Sequence, residues 1–266
     1  MKKIIFTLGL GLVLFTASGQ QKQGRVLYER TVQMRMHMIG GGGAEQMLPR
    51  SRTDRMEVLF GNNRSLRRAV ADERPEAFAG EERGMRVNIM VAAGPIEITY
   101  LDLAEGRMVE QRELGAKKYI VTDSIQKLPW KLTGETMTIL NYPCQQAVAQ
   151  RIGKRSETTM ENGEMKTREI TDTSQIVAWF TPAIPVPAGP EYQGQLPGMI
   201  LGMDISDGRV VYRAVEVTEE VDLSDIKAPS KGKKITAAAF AEEREKLMKE
   251  MQRNHKGRGG MIRIGG

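Results

Sequence analysis

The 266-residue chain has one cysteine, two histidines and an aromatic content of only 5%. The single cysteine, Cys144, cannot close an internal disulfide, so stability has to come from a packed core. Its plainest role is that of a small buried hydrophobe. An intermolecular disulfide and a reactive thiol are the sharper alternatives. Two histidines, His37 and His255, are too few for most multi-histidine metal centres and histidine-relay hydrolases. A Gly-x-Ser-x-Gly elbow, a His-Glu-x-x-His helix and a phosphate-cradling glycine loop are also missing. A Cys144–His37 nucleophile pair has no supporting pattern around either residue. The sequence therefore assigns no catalytic residue and no cofactor. Beyond its first residues the chain lacks any apolar run near the ~20 residues that a membrane-spanning helix needs.

The apolar start reads as an address. Met1-Lys2-Lys3 is basic, Ile4–Phe15 is apolar apart from Thr7, and Ala17-Ser18-Gly19 offers small residues to a signal peptidase. Residues 1–19 are thus expected to be a secretory signal peptide. No cysteine follows, which argues against a lipid anchor. The expected location is outside the cytoplasm, in the periplasm or at the periplasmic face of the outer membrane. Charge is uneven. Residues 227–266 hold eleven Lys and Arg against four Glu, while the chain as a whole carries +6. A basic tail on a near-neutral body suits an anionic surface such as lipid or lipopolysaccharide. Nucleic acid is a poor partner for an exported chain.

What is present is alternation. Val26, Tyr28, Val32, Met34, Met36 and Met38 fall on one parity and polar residues on the other, the pattern of a half-buried strand. Further short strands are expected around Met56–Phe60, Ser65–Val70, Ile96–Leu101, Arg107–Leu114, Lys118–Thr122, Trp130–Leu132, Thr136–Leu140, Val148–Ile152, Ile176–Phe180, Met199–Ile205 and Val210–Val217. Gly61-Asn62-Asn63 and Ser206-Asp207-Gly208-Arg209 carry hairpin-turn chemistry. Glu161-Asn162-Gly163-Glu164 marks the tip of a polar, exposed hairpin over Thr158–Thr173. Asp72–Pro95 shows little period and is expected to be a long loop or insertion. Thr236 is a helix N-cap, flanked by Ile235 and Phe240 in staple spacing. The helix it opens, with Phe240, Leu247 and Met251 as its apolar stripe, runs to about His255, and Gly257 stops it.

The expected architecture is mainly β: one antiparallel, strongly curved sheet or half-open barrel, with a C-terminal α-helix and basic tail. The β domain is expected over 20–226, its core over 25–220, and the basic helix and tail over 227–266.

Two constellations invite metal chemistry. Met34, Met36 and Met38 place three thioethers on one strand parity, a set that suits a soft cuprous ion. His37 falls on the other parity, and methionine is a common core filler. Asp204 and Asp207 lack the ligand spacing of an EF-hand loop and read as a hairpin turn.

A last set of residues carries a resemblance. Gly194-Gln195-Leu196-Pro197-Gly198-Met199-Ile200-Leu201 resembles the signature of the GLPGLI family, secreted Gram-negative proteins of unsettled function. Gln195 stands where that family has Gly, and Met199 where it has Leu. Trp130, Tyr142 with Cys144 and Ala147, Trp179-Phe180-Thr181, Ile184-Pro185 and Gly189-Pro190 follow the family's order over residues 25–220. From the residues alone, Trp179 and Phe180 are core anchors. The prolines stiffen the connection, and Gly198 is expected to supply a backbone angle closed to other residues. The stretch reads as a rigid corner leading back into the sheet. The functional expectation is a non-catalytic extracytoplasmic binding or accessory protein, associated with an envelope partner such as an outer-membrane transport or assembly complex. The alternatives are a periplasmic carrier of a lipid or other apolar ligand, and copper handling through the methionines.

Overall fold

A computed structural model describes residues 21–33, 51–70, 96–161 and 164–257. Residues 1–20, Met34, Met36, His37, Met38, the whole Asp72–Pro95 segment and the last nine residues lie outside the described residues. Twelve strands are seen: β1 (Gly24–Gln33), β2 (Ser51–Gly61), β3 (Arg64–Ala69), β4 (Ile96–Asp102), β5 (Arg107–Leu114), β6 (Lys117–Ser124), β7 (Lys131–Ile139), β8 (Tyr142–Glu161), β9 (Glu164–Thr181), β10 (Met199–Ile205), β11 (Val210–Thr218) and β12 (Lys233–Thr236). A 3-10 turn at Leu223–Asp225 and the helix α1 (Ala237–Gly257) complete the described elements.

All twelve strands join one sheet in the order β12-β6-β5-β4-β3-β2-β1-β11-β10-β9-β8-β7. Two antiparallel meanders, β1 to β6 and β7 to β11, are spliced where β1 pairs with β11. Only β12 runs parallel to its neighbour, β6. Chain connectivity forces the curvature. β6 and β7 stand ten positions apart in the ladder, roughly 48 Å if the sheet were flat. Only Ile125–Trp130 connects them, and so short a segment reaches about 25 Å when fully extended. The sheet therefore rolls until its two ends approach, yet it does not close.

The turns follow their residues. Asn62 and Asn63 both take positive φ between β2 and β3, and so do Leu140 and Asn141 between β7 and β8. Paired left-handed residues match the twist of a two-residue hairpin. Leucine is an unusual choice there, because its Cβ crowds the following carbonyl.

The inner face changes character from strand to strand. One cross-strand row reads Ile235, Val121, Glu110, Thr99, Arg67, Val58, Val26 and Val217. It is apolar at both ends and polar in the middle. At one end lies the main core, built on Val26, Tyr28, Val58, Phe60, Ile176, Phe180 and Met203. At the other, Tyr119 and Val121 pack against Phe240 of α1, with Tyr119 and Phe240 edge to face at 5.4 Å. On the opposite face, Leu59, Leu66, Tyr100, Val109 and Ile120 are covered by Ile226, Val221 and Leu223.

Four features differ from the sequence reading. Trp130 precedes its strand, and the two short strands expected nearby form one, β7, interrupted by an irregularity between Leu132 and Thr136. Val148–Ile152 and Ile176–Phe180 are parts of much longer strands of 20 and 18 residues. Their polar extensions are rich in threonine, which favours extended backbone without needing burial. β12, three of whose four residues are exposed, carries the sheet beyond residue 226 into the stretch expected to be basic helix and tail. Finally, Phe180 is buried but Trp179 is only half-buried. Successive residues of a strand face opposite sides, so only one of the two can enter the core.

Candidate functional site

The segment 182–198, between β9 and β10, does not loop outward. Ile184, Ala188 and Leu196 are buried in the main core together with Met199, Ile200 and Leu201. It is held by its own backbone: Met199 N donates to Ile184 O at 3.0 Å, and Ile200 N to Ala188 O at 2.9 Å. Gly194 N donates to Pro187 O at 2.7 Å. Tyr28, fully buried on β1, donates its hydroxyl to Ile200 O at 2.6 Å. Burial, reinforced by Cys144, pushes the Tyr28 phenol well above its usual range.

Gly198 is needed for a reason other than the expected one. It is not among the residues with positive φ. A β-carbon there would lie 2.2 Å from Thr181 O and 2.8 Å from Thr181 C. Close passage against backbone, not a forbidden angle, excludes a side chain. Gly194 does take a positive φ of 78°, and its missing β-carbon leaves room for Ile125 of the β6–β7 link. Gly189 likewise makes way for Ile200.

Polar residues fasten the segment to the middle of the inner face. Arg67 on β3 donates through Nη1 to Pro190 O and to Glu191 Oε2, both at 2.6 Å, and through Nη2 to Thr99 Oγ1 at 3.0 Å. Ser65 Oγ donates to Gln193 Oε1 at 2.9 Å. The Tyr212 hydroxyl reaches Glu191 Oε2 at 3.4 Å. Burial first, and the Glu191 charge second, raise the Tyr212 phenol, against the opposing pull of Arg67 and Arg30. Glu110 accepts from Arg112 Nε at 2.9 Å, and that guanidinium lies over the Phe240 ring. Gln195, the departure from the GLPGLI pattern, accepts at one oxygen from Leu128 N at 2.8 Å and from Trp130 Nε1 at 2.9 Å. Trp130 also meets Tyr192 edge to face. Gln195 thus ties the β6–β7 link to the segment.

The motif residues Leu196, Met199, Ile200 and Leu201 therefore share one core with Tyr142, Cys144, Ala147, Phe180 and Trp130. Pro185 and Pro197 sit at exposed points of the segment, whereas Gly189 and Pro190 are buried. Cys144 is buried, and burial raises its thiol against the opposing Ile139 backbone hydrogen bond. Such a thiol is not an activated nucleophile. Asp204 accepts from Gly208 N at 2.7 Å and closes the β10–β11 turn. Among the described residues no group of three or more His, Cys, Asp or Glu is placed to hold a metal, and no buried side-chain polar atom lacks a partner. Arg67, Glu191, Gln193 and Tyr212 escape the sequence reading. The available signal was arginine on the inward parity of Arg64–Ala69.

The outer margin is different. Among the described residues the exposed large hydrophobics are Leu132 (63%), Met137 (43%), Leu140 (40%) and Ile152 (74%). All four belong to β7, its turn and β8, at one end of the sheet.

Comparison with known proteins places the polar and apolar anchors in context. Residues 130–202 match a family described as a protein of unknown function, Porph_ging. The match runs from Trp130 to Gly202, and so takes in β7 to β9, the whole buried segment and the first half of β10. No curated protein matches the sequence. Two solved structures of PNGF-II are similar at 15% identity. The C2 form has a TM-score of 0.50 over 85% of this chain, and the P21 form has 0.49 over 83%. The chain spans about a third of the length of those structures. At that identity the likeness concerns the fold.

Proposed function

We propose that the chain is an exported, non-catalytic binding or accessory protein of the GLPGLI type. It works in the periplasm or at the periplasmic face of the outer membrane, and its partner is an envelope protein such as a component of a transport or assembly complex. The observation that supports this reading is the gathering of Leu132, Met137, Leu140 and Ile152 at the open β7 end of the sheet. Apolar groups concentrated on one margin mark a surface that another protein covers. An unpaired strand beside them offers backbone donors and acceptors to an extended segment of that partner. The interior gives less support to a small-molecule role. The described inner face is occupied by Ile184, Ala188 and Leu196, and its buried polar atoms are partnered. A lipid would have to displace residues 182–198. The copper reading rests on Met34, Met36 and Met38, outside the described residues.

The test is crosslinking in native envelope with wild-type chain and with Leu132→Ser/Met137→Ser. A partner captured by the wild type and lost from the variant is the expected result. Equal capture by both, or a stoichiometric lipid in organic extracts of the purified protein, would overturn the proposal.

A further inference from the structure

β12 is a meagre strand. It has four residues, three of them exposed, and among the described strands it alone pairs in parallel. Parallel pairing is slightly weaker per residue than antiparallel pairing. Side chains and close backbone passage hold it in place. Ile235 and Phe240 pack with Tyr119 and Val121. Gly232 lies so near β6 that a β-carbon there would meet Lys118 O at 2.8 Å and Lys118 C at 2.9 Å. The register sets Lys233 beside Tyr119 and Lys234 beside Ile120.

That register gathers charge. β6 opens with Lys117 and Lys118, and β12 opens with Lys233 and Lys234, just after Lys231. All five are exposed. Because the two strands run parallel, their first residues lie at the same end of the sheet. The five backbone positions then stand within roughly 12 Å of one another. An antiparallel β12 would have carried its lysines to the other end of β6. A span of that size is close to the Debye length at about 0.1 M salt, so the five charges act as one patch. Two carboxylates stand beside it: Glu113, opposite Lys118 in the β5–β6 ladder, and Glu243, 3.9 Å from Lys233. Glu110 is taken up by Arg112. α1 passes the β5–β6 turn, where a β-carbon on Gly115 would lie 3.9 Å from Leu247. Residues 242–250 of that helix hold four acidic and three basic residues, so they do little to cancel the patch.

We infer that this end of the sheet, where β6 and β12 begin, docks on an anionic phospholipid surface. Charge complementarity selects the sign of the partner. The residue type selects its form. All five cations are lysines, mobile point charges on flexible stems, which suit a field of phosphates; a single shaped anion is better held by the rigid fork of arginine. The contact stays at the headgroups. Phe240 and Leu247 are turned into the packing against Leu114, Tyr119 and Val121, and no helix among the described residues is long and apolar enough to cross a membrane. The composition of the tail places basic charge after residue 226; the fold adds Lys117 and Lys118 of the β domain to it. This surface is distinct from the apolar β7 margin and needs no partner there.

The deciding experiment is co-sedimentation of residues 20–266, without the expected signal peptide, with two kinds of vesicle. One is phosphatidylcholine mixed with phosphatidylglycerol, and the other is phosphatidylcholine alone. The wild type is expected to bind the first and not the second, and to be released as salt is raised. Each lysine near an anionic surface contributes roughly fivefold in affinity. Lys117→Glu/Lys118→Glu is therefore expected to bind at least about 20-fold more weakly, and Lys233→Glu/Lys234→Glu to lose as much. Lys127→Glu/Lys131→Glu is the control of equal charge change. Both of its lysines are exposed and lie past the other end of β6, and its affinity is expected to stay within about threefold of the wild type. Far-ultraviolet circular dichroism and Tm confirm that each variant is folded. Lys117→Gln/Lys118→Gln, which removes the charge without adding acid, is expected to fall between the wild type and the Glu pair. No binding to the anionic vesicles would overturn the inference. So would equal binding to both kinds of vesicle, full affinity in the Lys117/Lys118 variants, or an equal loss in the control.

Discussion

Gly198→Ala tests the account of the buried segment most directly. The added β-carbon would meet Thr181 O at 2.2 Å, Thr181 C at 2.8 Å and Pro182 Cα at 3.2 Å. All three are backbone atoms, so no side chain can rotate out of the way. Relief needs a shift of roughly 1 Å, away from a strand end that is itself fixed by the Met199↔Thr181 pairing. The hydrogen bonds Gly198 N to Leu196 O and Met199 N to Ile184 O lie on either side of that shift. Losing two such bonds costs about 1 kcal/mol each, and crowding a packed site adds about 1–3 kcal/mol. The expected loss is therefore about 3–5 kcal/mol. That corresponds to a fall of roughly 10 °C in Tm for a chain of this size. Gly153→Ala is the control, because its β-carbon would meet nothing nearer than Asp172 O at 4.0 Å. Urea and thermal unfolding followed by circular dichroism would measure both. A Gly198→Ala loss below about 1 kcal/mol, or a control that falls equally far, would refute the steric argument.

Three further outcomes can be checked on the same instruments. Arg67→Met leaves Glu191 and the Pro190 carbonyl without their buried donor and should cost about 3–5 kcal/mol; a loss under 1 kcal/mol would show that the link is dispensable. Leu140→Asn should raise stability by about 1 kcal/mol, because Leu140 is exposed and held at φ 47°, where asparagine is at ease; a lower Tm would contradict this. Alkali should destabilise the fold. The phenols of Tyr28 and Tyr212 and the Cys144 thiol all ionise later in the folded chain than in the unfolded one. Their contribution is complete below about pH 8.5 for the thiol and about pH 10 for the phenols, and is lost as pH rises toward the folded values. Urea midpoints should fall between pH 8 and 11, with a shallower slope in Tyr28→Phe; a flat profile would rule the effect out.

Local structure was legible in the sequence because its causes are local. Period-two runs such as Val26 to Val32 gave strands, Asn62-Asn63 and Asp207-Gly208 gave turns, and Thr236 gave the helix start, with its hydroxyl accepting from Ala239 N at 3.2 Å. Partnerships across the sheet were not legible. Nothing near Arg67 reveals that Glu191 will neutralise it, because that contact exists only once the sheet rolls. Gln195 looked like a departure from a pattern, and its role depends on Leu128 and Trp130 arriving from the β6–β7 link. β12 failed to register because four residues with one half-buried side chain carry almost no period. The β8–β9 ribbon extended further than its composition suggested, since polar threonine strands need a partner strand more than a core.

The splice between the meanders has a consequence for how the chain is made. Within each meander every strand meets a neighbour that follows it closely, so β2 to β6 and β7 to β11 can zip as soon as each hairpin is available. β1 and β6 are the exceptions, each on one side: β6 meets the late strand β12, and the second neighbour of β1, β11, is the last strand of the other meander. During vectorial synthesis β1 emerges first and waits with one flank open until Thr218 has appeared to meet Arg25. Joining ends so distant in sequence is slow, and the waiting flank is an association-prone edge of the nascent chain. Early in its life, the protein is vulnerable at a seam that the finished fold conceals.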